Sequence, residues 1–172
     1  MKAIRNVFAS VTVFILFQAT AFSQSVKSAS NEKEKIAVDC PTEWVVRNFD
    51  SYALLVSEPA GKEITYMSTV DVQVDHQSPN VAAYCKKYEE NLQQSQTFKD
   101  FKVKSKKEIV FKGNKAMEYH CTATAASLQL EWTSIIFLKN GTVYKLTTTS
   151  VVQKYLLNKA VTDKIVESFR FI

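Results

Sequence analysis

The chain has 172 residues, 46 % of them hydrophobic and 23 % charged, and its 22 basic against 17 acidic side chains give a formal net charge of +5. This length suits a single domain with its own hydrophobic core. The charge excess is mild and carried by lysine, with arginine only at positions 5, 47 and 170. Nucleic-acid readers rely on arginine for bidentate contacts, so the composition argues against a nucleic-acid partner.

The chain opens with a secretory signal pattern. Lys2 and Arg5 form a basic start, Val7 to Phe17 is an apolar run, and Ala21-Phe22-Ser23 offers small residues at the two positions that a signal peptidase reads. Cleavage is expected between Ser23 and Gln24, so residues 1–23 form the signal peptide. The run is short of the ~20 apolar residues needed to span a bilayer. The first cysteine is Cys40, well past the cleavage point, so no lipoprotein anchor is expected. These features predict an exported protein, periplasmic or secreted, with no transmembrane span in its mature form.

Residues 24–35 are small, polar and charged apart from Val26, and are expected to be a flexible leader. From Ile36 to the C-terminus the pattern is that of one folded domain. Ile36, Val38 and Cys40 alternate with polar neighbours and predict a strand stopped by Pro41. Trp44–Asn48 and Tyr52–Ser57 read as two short strands, and Ile64–His76 as a long one. Ser78-Pro79 reads as a helix cap followed by a first-turn proline. Val81, Tyr84, Cys85, Tyr88 and Leu92 then recur at helical spacing. Phe101–Phe111, Lys115–Thr124, Leu128–Leu138 and Val143–Ser150 follow as strands. Asn140-Gly141 between the last two is a strong hairpin signal. A final helix spans Lys154–Glu167, with Leu157, Val161 and Ile165 every four residues. Strands grouped in runs, with one helix in the middle and one at the end, predict an α+β domain in which two main helices flank an antiparallel β-sheet.

Several landmarks stand in a familiar order. Cys40-Pro41-Thr42-Glu43-Trp44 ends an early strand, and Phe111-Lys112-Gly113-Asn114-Lys115-Ala116 joins two later ones. Val143-Tyr144-Lys145-Leu146-Thr147 follows the tight turn, and Ile165-Val166-Glu167-Ser168-Phe169-Arg170-Phe171 closes the chain. The arrangement resembles the PsbP-like superfamily, which includes photosystem II extrinsic proteins, Ran-binding Mog-type proteins and exported DcrB-like proteins. The resemblance implies an antiparallel sheet flanked by helices, Gly113 in a turn and Phe169 pinning the last helix to the sheet. It also implies roles in binding or assembly rather than one shared active site.

Candidate chemistry is sparse. Cys40, Cys85 and Cys121 all fall on predicted core faces, where a thiol behaves as a small hydrophobe; three single-bridge pairings are open. A reactive thiol would need exposure and a nearby cation, yet Lys86 and Lys87 do not share the helix face of Cys85. His76, His120, Asp71, Asp75 and Cys121 are the candidate metal ligands, but His120 and Cys121 point to opposite faces of one strand. No metal or cofactor is therefore expected.

A lysine-rich stretch runs from Lys99 to Lys115, and simple alternation places Lys102, Lys104 and Lys106 on one face. This reads as a guarded sheet edge or as a docking patch for an acidic partner. No phosphate loop, GxSxG elbow or HExxH motif occurs. The sequence thus predicts a non-enzymatic binding or assembly accessory of the cell envelope, working through protein contacts. Two alternatives stand beside it: a small thiol-dependent or hydrolytic enzyme, and a carrier of small apolar ligands that uses Tyr84, Tyr88, Phe101 and Phe111.

Overall fold

The computed structural model describes residues 25–47, 51–60 and 67–172. The signal and its cleavage point at Ser23 and Gln24 lie outside the described residues. Chain order is β1 (Val26–Asn31), β2 (Ile36–Pro41), β3 (Val45–Arg47), β4 (Leu54–Ser57), β5 (Thr69–Asp75) and α1 (Val81–Gln93). It continues with β6 (Lys99–Phe111), β7 (Asn114–Ala125), β8 (Leu128–Lys139), β9 (Thr142–Val151), α2 (Val152–Glu167) and β10 (Arg170–Phe171). A large sheet has the order β3-β4-β5-β9-β8-β7-β6, and a small one the order β1-β2-β10. All pairings are antiparallel.

Three hairpins build the β6–β9 meander, each closed by a two-residue loop with positive φ at both positions. The loops are Lys112-Gly113, Ala126-Ser127 and Asn140-Gly141. Such turns match the right-handed twist of the strands and favour Asn and Gly. The first and third carry glycine at the second position, whereas the second has none.

The large sheet separates two apolar layers. On one face, Val70, Val72, Leu146, Ile135 and Phe137 pack against β2 of the small sheet and against Ile165, Val166 and Phe169 at the end of α2. Phe169 is fully buried and its ring meets Phe111, Phe137, Tyr144 and Phe171, the pinning role that the resemblance implied. On the other face, Cys85 of α1 packs with Tyr119, Cys121, Leu130, Trp132 and Ile136.

Four details depart from the sequence expectations. Residues 26–31, expected within a flexible leader, form β1 and pair with β2 from Val26↔Pro41 to Asn31↔Ile36. Backbone pairing to a core strand needs few apolar side chains: Ala29 faces inward, and Asn31 donates to the Ala53 carbonyl at 2.6 Å. Pro41 closes β2 from within, where a missing N–H costs no ladder bond.

The cap of α1 is Asn80, whose Oδ1 accepts from the Ala83 N–H at 2.8 Å, with Val81 as the first helical residue. Ser78 is drawn instead into a turn around Asp75, donating its hydroxyl to that carboxylate at 2.8 Å. In α2, the buried residues are Tyr155, Thr162, Ile165 and Val166, while Leu157 is 77 % exposed. Spacing by four drifts around the helix by about 40° per step, so Leu157 and Ile165 do not share one face.

Candidate functional site

α1 covers only the β7–β8 half of its face of the large sheet, and the β4–β5–β9 half beside it is an open cleft. The strands create its floor by alternation. Asp71 and Gln73 of β5 stand opposite Thr147 and Lys145 of β9, and period-two geometry turns all four side chains to the α1 side. Leu55 of β4, opposite Asp71, shares that face. Tyr88, Leu92, Phe98 and Trp132 form the wall. The cleft encloses about 280 Å³ and continues into a neighbouring hollow of about 370 Å³ beneath α1, with Gln73, Tyr88, Leu92, Phe98 and Lys145 common to both.

The wall is rigid. Trp132 donates its indole N–H to the Tyr88 hydroxyl at 2.9 Å, and that hydroxyl bonds Ser134 at 3.0 Å. Ser134 in turn meets Thr147 at 3.0 Å. Phe98 and Phe101 pack on the Trp132 ring at 5.8 and 6.0 Å between centroids. These links fix Trp132 and Tyr88 before any ligand arrives, the preorganisation a binding site needs.

The floor is not satisfied in the same way. Asp71 is only 6 % exposed, and its Oδ1 has no hydrogen-bond partner among the described residues. Burial pushes its carboxyl up to about 7, against the field of Lys145, which acts to lower it. Burial holds the Lys145 ammonium below its ordinary range, opposed by Asp71. The Lys145 Nζ lies 4.8 Å from the centre of the Tyr88 ring, and among the described residues no carboxylate reaches it within ion-pair distance. Tyr52 and Tyr84 carry raised hydroxyl pKa values, the latter about 12, through burial first and then the field of nearby carboxylates including Asp71. Native structures rarely leave a buried carboxylate oxygen unpaired.

Of the residues singled out by sequence, Asp71 lies on the cleft floor and Tyr88 in its wall, whereas the cysteines and the lysines lie elsewhere. All three cysteines are free and buried, Cys40 in the α2-side layer and Cys85 and Cys121 in the α1-side layer. Burial raises each thiol, Cys121 to about 12, the opposite of the shift that activates a nucleophile.

The three lysines do not share a face. Register shifts between Lys99 and Lys102 and between Val103 and Ser105 interrupt the alternation of β6. Lys104 reaches Glu131 at 2.8 Å, whereas Lys106 reaches Glu89 of α1 at 2.7 Å. Lys102 is exposed. Glu131 also accepts from His120 at 2.6 Å, and His120 stacks on Tyr155 of α2 at 5.4 Å. The Lys104 network therefore belongs to the α2 side and Lys106 to the α1 side. His76 bonds Glu34 at 3.0 Å, far in the chain from His120. Among the described residues no three metal-ligating side chains come together.

A larger groove of about 850 Å³ lies between α1 and the β6–β7 hairpin, lined by Val81, Cys85, Ile109 and Met117. Its central charges, Lys106 and Glu89, already pair with each other. The aromatic residues proposed for an apolar carrier divide. Tyr84 and Tyr88 line the space beneath α1, Phe101 backs Trp132, and Phe111 belongs to the α2-side core.

Sequence reading missed the Asp71–Lys145 floor, although its trace is present. Thr69, Asp71 and Gln73 form one polar row, and Lys145, Thr147 and Thr149 another. Only the pairing of β5 with β9 brings the two rows side by side.

No protein-family model matches the chain, and no curated protein sequence matches it. Solved structures do. The solution structure of cyanobacterial PsbP (CyanoP) from Synechocystis sp. PCC 6803 is similar with a TM-score of 0.65 and 8 % identity, over 89 % of this chain and 96 % of that one. PA94 from Pseudomonas aeruginosa, a protein of unknown function described as a putative regulator, gives 0.58 and 12 % over 83 % and 94 %. LpqN of Mycobacterium tuberculosis, involved in cell envelope biogenesis, gives 0.53 and 9 % over 86 % of each chain. The chain has the PsbP-like fold: an antiparallel sheet with two helices among the described residues.

Proposed function

We propose that the protein is an exported, non-enzymatic binding accessory of the cell envelope, and that the cleft beside α1 is where it binds. The observation that carries this reading is Asp71, a buried carboxylate in the lining of an aromatic-walled cleft, whose enclosed Oδ1 has no hydrogen-bond partner among the described residues. A buried polar group left unpaired costs about 1–3 kcal/mol, more when charged, and natural folds keep such costs where function uses them. The signal pattern of residues 1–23 supports export. No helix among the described residues is long and apolar enough to cross a membrane. LpqN, a similar fold, is involved in cell envelope biogenesis, which fits an envelope setting. The raised thiols of Cys40, Cys85 and Cys121 argue against thiol catalysis.

Site-specific photo-crosslinking in the native envelope tests the assignment. A photoreactive residue at Thr69, on the cleft lining, is expected to capture a defined envelope component. The same residue at Val110, on the exposed edge of β6, should not capture it. Capture from Val110 and none from Thr69 would move the binding surface to the β6 edge and overturn the assignment.

A further inference from the structure

The cleft holds a carboxyl group and an amine, Asp71 and Lys145, neither of which has an ion-pair partner in contact among the described residues. Asp71 and Lys145 project from adjacent strands on the same face, with Asp71 opposite Thr147 and Lys145 opposite Gln73. They are diagonal neighbours, a relationship that sets side chains of adjacent strands about 7–8 Å apart. A direct ion pair would satisfy both, yet none forms. Lys145 lies instead over the Tyr88 ring, and Tyr88 is held there by Trp132 and Ser134. The acceptor at Asp71 and the donor at Lys145 therefore stand apart across a space that aromatic side chains wall on one side.

The geometry points to a small zwitterion as the occupant: a molecule whose ammonium donates to Asp71, whose carboxylate accepts from Lys145, and whose apolar part lies toward Phe98 and Trp132. Free amino acids and the single-residue end of a peptide-like metabolite belong to this chemical class. This inference rests on the cleft being the binding site and adds what the cleft takes.

Other chemistries match the lining less well. An anion would meet Lys145 but face the Asp71 carboxylate, and a simple cation would meet Asp71 but face Lys145. A purely apolar molecule would leave a buried carboxyl and a half-buried amine unanswered, the costly outcome in a desolvated site. A zwitterion answers both with charge-assisted hydrogen bonds, the stronger kind. Its two charges are a few bonds apart, and the residual distance falls within the reach of the lysine stem. Thr147 and Gln73, each opposite one of the charged residues, add neutral hydrogen-bonding groups to the same floor.

Calorimetric titration of the purified protein with three probes tests the inference. L-phenylalanine has both charges, phenylalaninamide lacks the carboxylate and N-acetylphenylalanine lacks the ammonium. Wild type should bind L-phenylalanine at least about tenfold more tightly than either analogue, the scale expected for losing one charge-assisted contact. Lys145→Met should erase discrimination against the amide, and Asp71→Asn should erase discrimination against the N-acetyl compound. The probe series on wild type stands even where a variant fails to fold.

Equal affinity for all three probes, or preference for an analogue, would overturn the zwitterion class and leave the cleft as a binding site for other chemistry. No heat from any probe up to about 10 mM, well above the weakest useful affinities, would likewise overturn it. The Thr69 crosslinking result judges the cleft itself, so the two failures are distinguishable.

Discussion

Asp71 on β5 and Lys145 on β9 lie one diagonal step apart on the same sheet face and form no ion pair. A buried group of one charge usually stays in a fold because a group of opposite charge satisfies it. Here the lysine is drawn over the Tyr88 ring, 4.8 Å from its centre, and one carboxylate oxygen has no partner among the described residues. The consequences of that separation can be measured.

Asp71 should make stability fall as pH rises. Its folded-state pKa is raised to about 7, so the folded protein holds a proton that the unfolded chain releases near pH 4. Stability is greatest below the unfolded pKa and is lost as pH rises from about 4 through about 7, by up to about 4 kcal/mol for this group. The charged or titratable groups around it are Lys145 and the tyrosines 52, 84 and 88, whose hydroxyls stay protonated throughout this window. Asp71→Asn should therefore stabilise the protein by a few kcal/mol at pH 8 and by little at pH 4. Urea unfolding at the two pH values checks this; an equal effect at both would remove the buried-charge assignment.

The β7–β8 turn is a second strained point. Ala126 and Ser127 adopt φ of 46° and 69°, a left-handed conformation that costs a residue with a Cβ about 1–2 kcal/mol. Asn140-Gly141 meets the same demand with residues that tolerate it. Replacing Ala126-Ser127 by Asn-Gly should stabilise the fold by about 1–2 kcal/mol, read as a higher urea midpoint with an unchanged slope. A lower midpoint would show that the turn is of another type.

Leu157 within α2 and Phe169 just past its end should respond differently to truncation. Phe169→Ala removes a ring that is fully buried among four other aromatic side chains and should cost about 3–5 kcal/mol. Leu157→Ala, at a position 77 % exposed, should stay within about 0.5 kcal/mol. Thermal unfolding of the pair orders them, and a costly Leu157→Ala would mean that this surface is covered in solution.

The thiols should be silent in the folded state. Cys40, Cys85 and Cys121 are buried and free, and burial raises all three above their ordinary range. A chromogenic thiol reagent should react only as the protein unfolds, with all three released together. One fast-reacting thiol at neutral pH would revive the thiol-dependent enzyme that the sequence left open.

Local pattern carried much of the architecture. Val81, Tyr84, Cys85, Tyr88 and Leu92 foretold the face of α1 that packs on the sheet, with Cys85 buried and the other four partly so, and Asn140-Gly141 foretold the β8–β9 turn. Features that depend on partners were less legible. The β1 strand forms because β2 offers its edge to an otherwise polar segment. The bulges of β6 are set by pairing with β7, so alternation alone misplaced Lys104 relative to Lys106. The cleft was the least legible element. Asp71 and Lys145 are 74 positions apart in the chain, and neither means anything until β5 pairs with β9.

Binding of a small zwitterion in the space over Asp71 and Lys145 can be followed through the backbone amides of the isotope-labelled protein by NMR as L-phenylalanine is added. Saturable shifts are expected at residues 69–73 and 145–149, with the Trp132 indole N–H moving alongside them. Shifts confined to the α2 side around His120 and Tyr155, or to the β6 edge, would contradict it, as would a spectrum that does not change.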